Sequence, residues 1–142
     1  MAISISDLAA SLYRQTKWQK TPMPLEEFDY LDMVKGGIKK LYIDTGRASV
    51  FNSSMFKTDL DGEVFLQTDL PIDEEEYAMI CAKLTFFQRV ATDVNNIVGY
   101  VTDAMTVTNA DKPYANLKDT MDRLEHERRI CYYKMTRYTL SS

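Results

Sequence analysis

Asp73-Glu74-Glu75-Glu76-Tyr77-Ala78-Met79-Ile80-Cys81-Ala82-Lys83-Leu84 opens the stretch whose reading decides the fold. Four acidic residues in a row suit a helix N-terminus, where unsatisfied backbone N–H groups and the helix dipole favour carboxylates. Asp73 is the expected N-cap, and Glu76 three residues later completes the capping-box spacing. From there Tyr77, Ile80, Leu84, Phe87, Ala91, Val94, Val98, Val101 and Met105 advance in alternating steps of three and four, a heptad seam. A helix over 74–103 is about 45 Å long, whereas a small domain is roughly 30 Å across. The helix is therefore expected to protrude or to be held by partners.

Downstream of it, Met105-Thr106-Val107-Thr108 is β-prone and Asn109-Ala110-Asp111-Lys112-Pro113 reads as a turn. A further helix is expected from Tyr114 or Ala115 to Tyr138, where Leu117, Met121, Leu124, Cys131, Met135 and Tyr138 repeat the seam, broken only by Arg128. A short connection between two long seams implies an antiparallel helical hairpin, about 74–103 and 115–138. Upstream, Asp61-Gly62 between two β-prone runs predicts a β-hairpin over 55–67 with a type I′ turn. A lone hairpin is marginal in water, so it must pack on the helices or pair with a neighbouring chain.

Earlier still, Leu25, Phe28, Leu31, Val34, Ile38, Leu41 and Tyr42 line one face of a helix beginning at Pro24 or Leu25. Gly36-Gly37 in its middle calls for a kink or a close helix contact, and Thr45-Gly46 reads as its stop. A short first helix over about 7–15 takes Ser4 or Ser6 as its cap and ends before Thr21-Pro22-Met23-Pro24. The expected architecture is mainly α: a helical bundle built on the long hairpin, with a small β-hairpin. It forms a single domain over 1–142, divided into helix and linker (1–23), helix (24–46), hairpin and loops (47–72), and long helical hairpin with C-terminal tail (73–142).

The chain has 142 residues, 45% of them hydrophobic and 27% charged, close to an ordinary globular domain. Its net charge of -4 argues against nucleic acid as the principal partner, and no sequence-specific nucleic-acid binding is expected. No run approaches the roughly 20 apolar residues of a membrane span, and residues 1–8 do not read as a signal peptide. Cys81 and Cys131 read as buried reduced thiols in a protein matured in a reducing cytoplasm.

Sites of chemistry are not expected. His126 is the sole histidine and sits beside Arg123 and Arg129 on a charged face. Aligning Gly62 with the glycine of a calcium loop puts Lys57 first and Thr68 last, where a glutamate is needed. There is no phosphate-cradling glycine loop, nucleophile elbow or C-x-x-C. No cofactor, metal or enzymatic role follows from these residues.

Surface character carries more. Eight of the 21 acidic residues fall between 59 and 76, whereas from Arg128 onward there are four basic residues and no acid. Arg128, Arg129, Arg137, Tyr132, Tyr133 and Tyr138 form the candidate interface, since arginine and tyrosine bring contact area and hydrogen bonds together. Dipole complementation with half-buried tyrosines explains the same residues equally well. An acidic patch and a basic-aromatic patch on one chain suit head-to-tail packing into a ring. The hairpin tip at Asp61 and Gly62 and the lysine-flanked Trp18 complete the candidate contacts, Trp18 as core plug or anchor.

Leu70-Pro71-Ile72-Asp73-Glu74-Glu75, then Asp103-Ala104-Met105-Thr106-Val107-Thr108-Asn109, then Leu117-Lys118-Asp119-Thr120-Met121-Asp122-Arg123-Leu124-Glu125 running into a basic, tyrosine-rich end, is a layout that resembles the head–tail connector (head-completion adaptor) proteins of tailed bacteriophages. The resemblance spans 70–142 and contains no catalytic motif. It implies a ring-forming homo-oligomer in the virion neck, made in the host bacterial cytoplasm. Its partners would be the portal protein and the next neck or tail protein, with 128–142 contacting the portal and the hairpin facing a neighbouring subunit or the next ring. The N-terminal third, with Trp18 and two prolines, departs from a minimal adaptor and leaves a tail-completion or tail-assembly role open. Outside that family, the competing expectation is a cytosolic helical regulatory or protein-binding module acting as a dimer.

Overall fold

The structure, a computed structural model, describes residues 3–102 and 116–141. The chain runs β1 (Ile3–Ser4), α1 (Ile5–Thr16), α2 (Glu27–Asp44), a 3₁₀ turn (Ser53–Met55), β2 (Phe56–Thr58), β3 (Val64–Leu66), α3 (Ile72–Thr102) and α4 (Leu117–Ser141). It is a mainly helical bundle with a small antiparallel sheet, as the periodicities require. The expected strand and turn at 105–113 lie outside the described residues.

α3 packs antiparallel with α4, as expected, and is also the axis of the bundle. Tyr77, Ile80, Leu84 and Phe87 of the seam are buried, but so are Ala78, Cys81, Ala82, Phe86 and Val90, which point to other sides. A helix buried nearly all round needs cover from several directions. α2 packs across Ala78 and Ala82, α4 runs antiparallel along the Tyr77 side, and α1 with β3 closes the remainder. Ile5, Leu12, Ile38, Leu41, Leu66, Tyr77 and Phe86 are essentially inaccessible. Each contributes about 1.5–3 kcal/mol through removal from water.

Gly37 explains how α2 gets so close. A Cβ there would lie 2.2 Å from the backbone oxygen of Ala78, so only glycine permits the crossing. Gly36 meets nothing. Of the two expected explanations for the glycine pair, the close helix contact holds, at Gly37. α2 ends as expected: Gly46 takes φ 74, with its N–H bonded to Ile43 O and the Arg47 N–H bonded to Tyr42 O. That is a Schellman closure.

Several expectations are corrected. α2 starts at Glu27, after the proline-bounded linker, because Glu26 takes the cap position: its N–H donates to Asp29 Oδ2 at 2.8 Å. Asp73 is not the cap of α3. The helix begins at Ile72, and Pro71 O accepts the first bond from the Glu75 N–H, placing Asp73 inside the first turn. The hairpin does not use a type I′ turn, since Gly62 is its only residue at positive φ. Instead Asp59 Oδ1 accepts the N–H groups of Asp61 and Glu63, Gly62 N–H bonds to Asp59 O, and Gly62 takes φ 84. This is the three-residue loop with a left-handed glycine at its end.

The hairpin is also not alone. β1 pairs antiparallel with β3, giving the order β1-β3-β2. Ser4 Oγ accepts from the Asp7 N–H as cap of α1 and donates to Glu63 Oε1 at 2.6 Å, while Ser6 Oγ accepts from the Val64 N–H at 2.9 Å. The two serines tie the start of α1 to the sheet.

Candidate interface on the fourth helix

Arg128 breaks the apolar seam of α4 because it has a polar partner to reach. Opposite it, Tyr77 projects from α3 and Asp44 from the last turn of α2. The Tyr77 hydroxyl donates to Asp44 Oδ2 and accepts from Arg128 Nη1 at 2.9 Å. Nη1 also lies 3.5 Å from Asp44 Oδ2, and Lys40 pairs with Oδ1 of the same carboxylate at 3.2 Å. On its own helix Arg128 grips Glu125 through Nε at 3.3 Å and Nη2 at 3.0 Å. The guanidinium thus joins three helices.

The electrostatics follow from that packing. Burial first, then the bond to Asp44, raises the Tyr77 hydroxyl pKa well above the usual phenol range. The Glu125 bond raises that of Arg128, against the opposing effect of burial. Cys81, deeper on α3, is pushed up to about 12 by burial, and Cys131 to about 11 by the same cause. Cys131 Sγ donates to Asp73 O at 3.3 Å. A thiol that prefers its neutral form is a poor nucleophile. Both cysteines are free and buried, as expected from their seam positions.

Beside the network lies an open groove of about 940 Å³ between the α2–α3 junction and α4. Its walls include Thr45, Gly46, Pro71, Tyr132 and Met135, and its rim carries Asp44, Asp73, Glu74 and Arg47. Arg47 pairs with Glu74, bonds to Thr45 Oγ1 at 3.1 Å and lies 4.8 Å over the Tyr42 ring. Tyr132 stands between core and surface, with its ring 6.3 Å from both Tyr77 and Tyr133. Arg129, Ile130 and Tyr133, spaced i, i+1 and i+4, face outward, Ile130 being 44% and Tyr133 70% exposed.

The sequence-predicted interface residues are therefore sorted. Arg129, Tyr132 and Tyr133 share one face, but Arg128 is engaged inside the fold. The side chains of Arg137 and Tyr138 lie outside the described part of the structure. Asp61 and Gly62 sit at the hairpin tip on another element. Trp18, neither core plug nor part of this face, is 60% exposed and packs against Phe87 at 5.6 Å. On α3, Phe87 is ten residues, about 15 Å, from Tyr77. Sequence reasoning missed Asp44, Arg47, Glu74 and Tyr77 as members of the site. The one local signal was the charge interrupting the α4 seam.

Among the described residues no group of three or more His, Cys, Asp or Glu side chains is placed to hold a metal ion, and no helix is long and apolar enough to cross a membrane. Compared with protein-family models, curated proteins and solved structures, the chain matches none of them.

Proposed function

We propose that the chain is a structural protein acting by assembly, a head–tail connector that forms a ring between the portal and the tail of a tailed bacteriophage. The observation that carries the reading is the outward stripe of Arg129, Ile130 and Tyr133 on α4 beside the groove. Large aromatic and arginine side chains held at the surface of a rigid helix are the usual anchors of protein interfaces. The layout of 70–142 described above supplies the family, and its basic-aromatic end supplies the portal contact.

Native mass measurement of the chain, alone and mixed with a portal oligomer, tests this. A multi-copy ring, or monomers that assemble on the portal, is the expected result. A stable dimer indifferent to portal sinks the reading and leaves the dimeric binding module. Arg128 is unsuitable for the accompanying substitution, because reversing it sets a carboxylate against Asp44 and disturbs the fold. Arg129→Glu with Tyr133→Ala is the appropriate pair: both residues are exposed, so stability should change by about 0.5 kcal/mol or less per site. Portal binding should be lost.

A further inference from the structure

We propose that the surface around Trp18, at the α1–α2 junction, is the knob of a head-to-tail contact. The socket is the groove between the α2–α3 junction and α4 on a second copy of this chain. The proposal rests on the assembly reading and names the contact between neighbouring copies.

The knob is built rather than incidental. Trp18 Nε1 donates to Gln15 O at 2.7 Å, which fixes the indole against the end of α1. From there an unbroken run of ring contacts leads through Phe87 (5.6 Å), Phe86 (5.0 Å) and Tyr30 (6.3 Å) to Tyr13 (5.5 Å). Phe86 roots the run in the core, while its two ends, Trp18 and Tyr13, are 60% and 51% exposed. Tryptophan is seldom left that open. An aromatic anchor already held in place forfeits little freedom on binding. Arg14, Lys17 and Lys20 surround it, all exposed, and no ion pair of the described residues involves them.

The groove offers the matching features. Pro71, Tyr132 and Met135 give it apolar walls, and Gly46, whose missing Cβ would meet nothing, leaves its mouth open. Its rim carries three carboxylates, those of Asp44, Asp73 and Glu74. Asp44 and Glu74 are paired within the fold, whereas Asp73 has no ion pair among the described residues. A basic-edged aromatic knob suits an apolar groove whose rim holds a carboxylate without an ion pair, Asp73, through both charge and apolar contact. They lie at different points along α3, so one copy can use both at once. Two distinct, complementary patches on one chain generate head-to-tail rather than two-fold contacts.

The test is complementation, read by sedimentation velocity and native mass measurement of the full chain over a wide concentration range. The wild type should self-associate. A knob variant, Lys17→Glu with Lys20→Glu, should be monomeric, and so should a groove variant, Asp73→Lys with Thr136→Arg. Mixed together, the two should form a one-to-one pair and nothing larger, because each retains the half that the other lacks. Trp18→Ala should weaken self-association about thirtyfold, the effect of an interface anchor. A wild type monomeric throughout, variants that assemble like the wild type, or a mixture that stays monomeric each overturns the proposal. So does binding of single-stranded DNA through the lysines with no self-association. Portal binding that survives any of these results leaves the connector reading standing, which separates the two.

Discussion

Gly36 and Gly37 are adjacent on α2 and face opposite surroundings. Alanine at 36 meets no atom, so Gly36→Ala should gain about 0.5–1 kcal/mol from restricting the unfolded chain and improving helix propensity. Alanine at 37 is driven into the Ala78 carbonyl, which is backbone and cannot swing aside. Gly37→Ala should lose about 1–3 kcal/mol despite the same propensity gain. Denaturant melts of the two variants check the pair, and equal effects of like sign would refute the close crossing. A sequence shows that glycines are present but not which one touches a neighbour, since the contact lies some forty residues away. Arg128 is the same kind of case. The interruption of the seam was visible, but Tyr77 and Asp44, which account for it, lie 51 and 84 residues away in sequence.

At the scale of elements, helices were legible wherever burial imposes a period. The extent of α3 and α4 follows from their seams, and the Schellman stop of α2 from Thr45-Gly46. Helix starts were less legible: α3 begins after Pro71 rather than after Asp73, and α2 begins at Glu27 rather than at Pro24 or Leu25. β1 was hidden for a different reason. Two residues are too short for an alternation to register, and its serine reads as a helix cap, a role it also fills. The start of α2 carries a pH dependence of its own. Asp29 accepts the Glu26 N–H and pairs with Arg89 of α3 at 2.8 Å, and these, in that order, hold its pKa below 3.8. A group depressed on folding stabilises above its unfolded pKa, and that contribution vanishes as pH falls through the folded value. Asp29→Asn should therefore cost stability near neutrality, with the difference from wild type shrinking from about pH 5 downward. Melting temperatures of the two proteins across that range decide it, and a difference independent of pH would count against the capping role.

For the whole molecule, the two thiols report whether the bundle opens in parts or at once. Cys81 lies within the α3 core and Cys131 on the α4 seam, each protected by burial. Neither should react with an aromatic disulfide reagent in the folded protein, and both should appear together as denaturant unfolds it. Early release of the Cys131 thiol, with helical circular dichroism unchanged, would mean that α4 detaches independently. The sheet imposes another constraint on the same scale. Ile3 and Ser4 find their partners at Leu66 and Phe65, so β1 cannot be secured until some sixty further residues have followed it. Contacts so distant in sequence are entropically late and slow folding, in contrast with the local turns of the helices. During synthesis the N-terminal strand waits, and α1 stays tethered at one end only until β3 emerges to receive it.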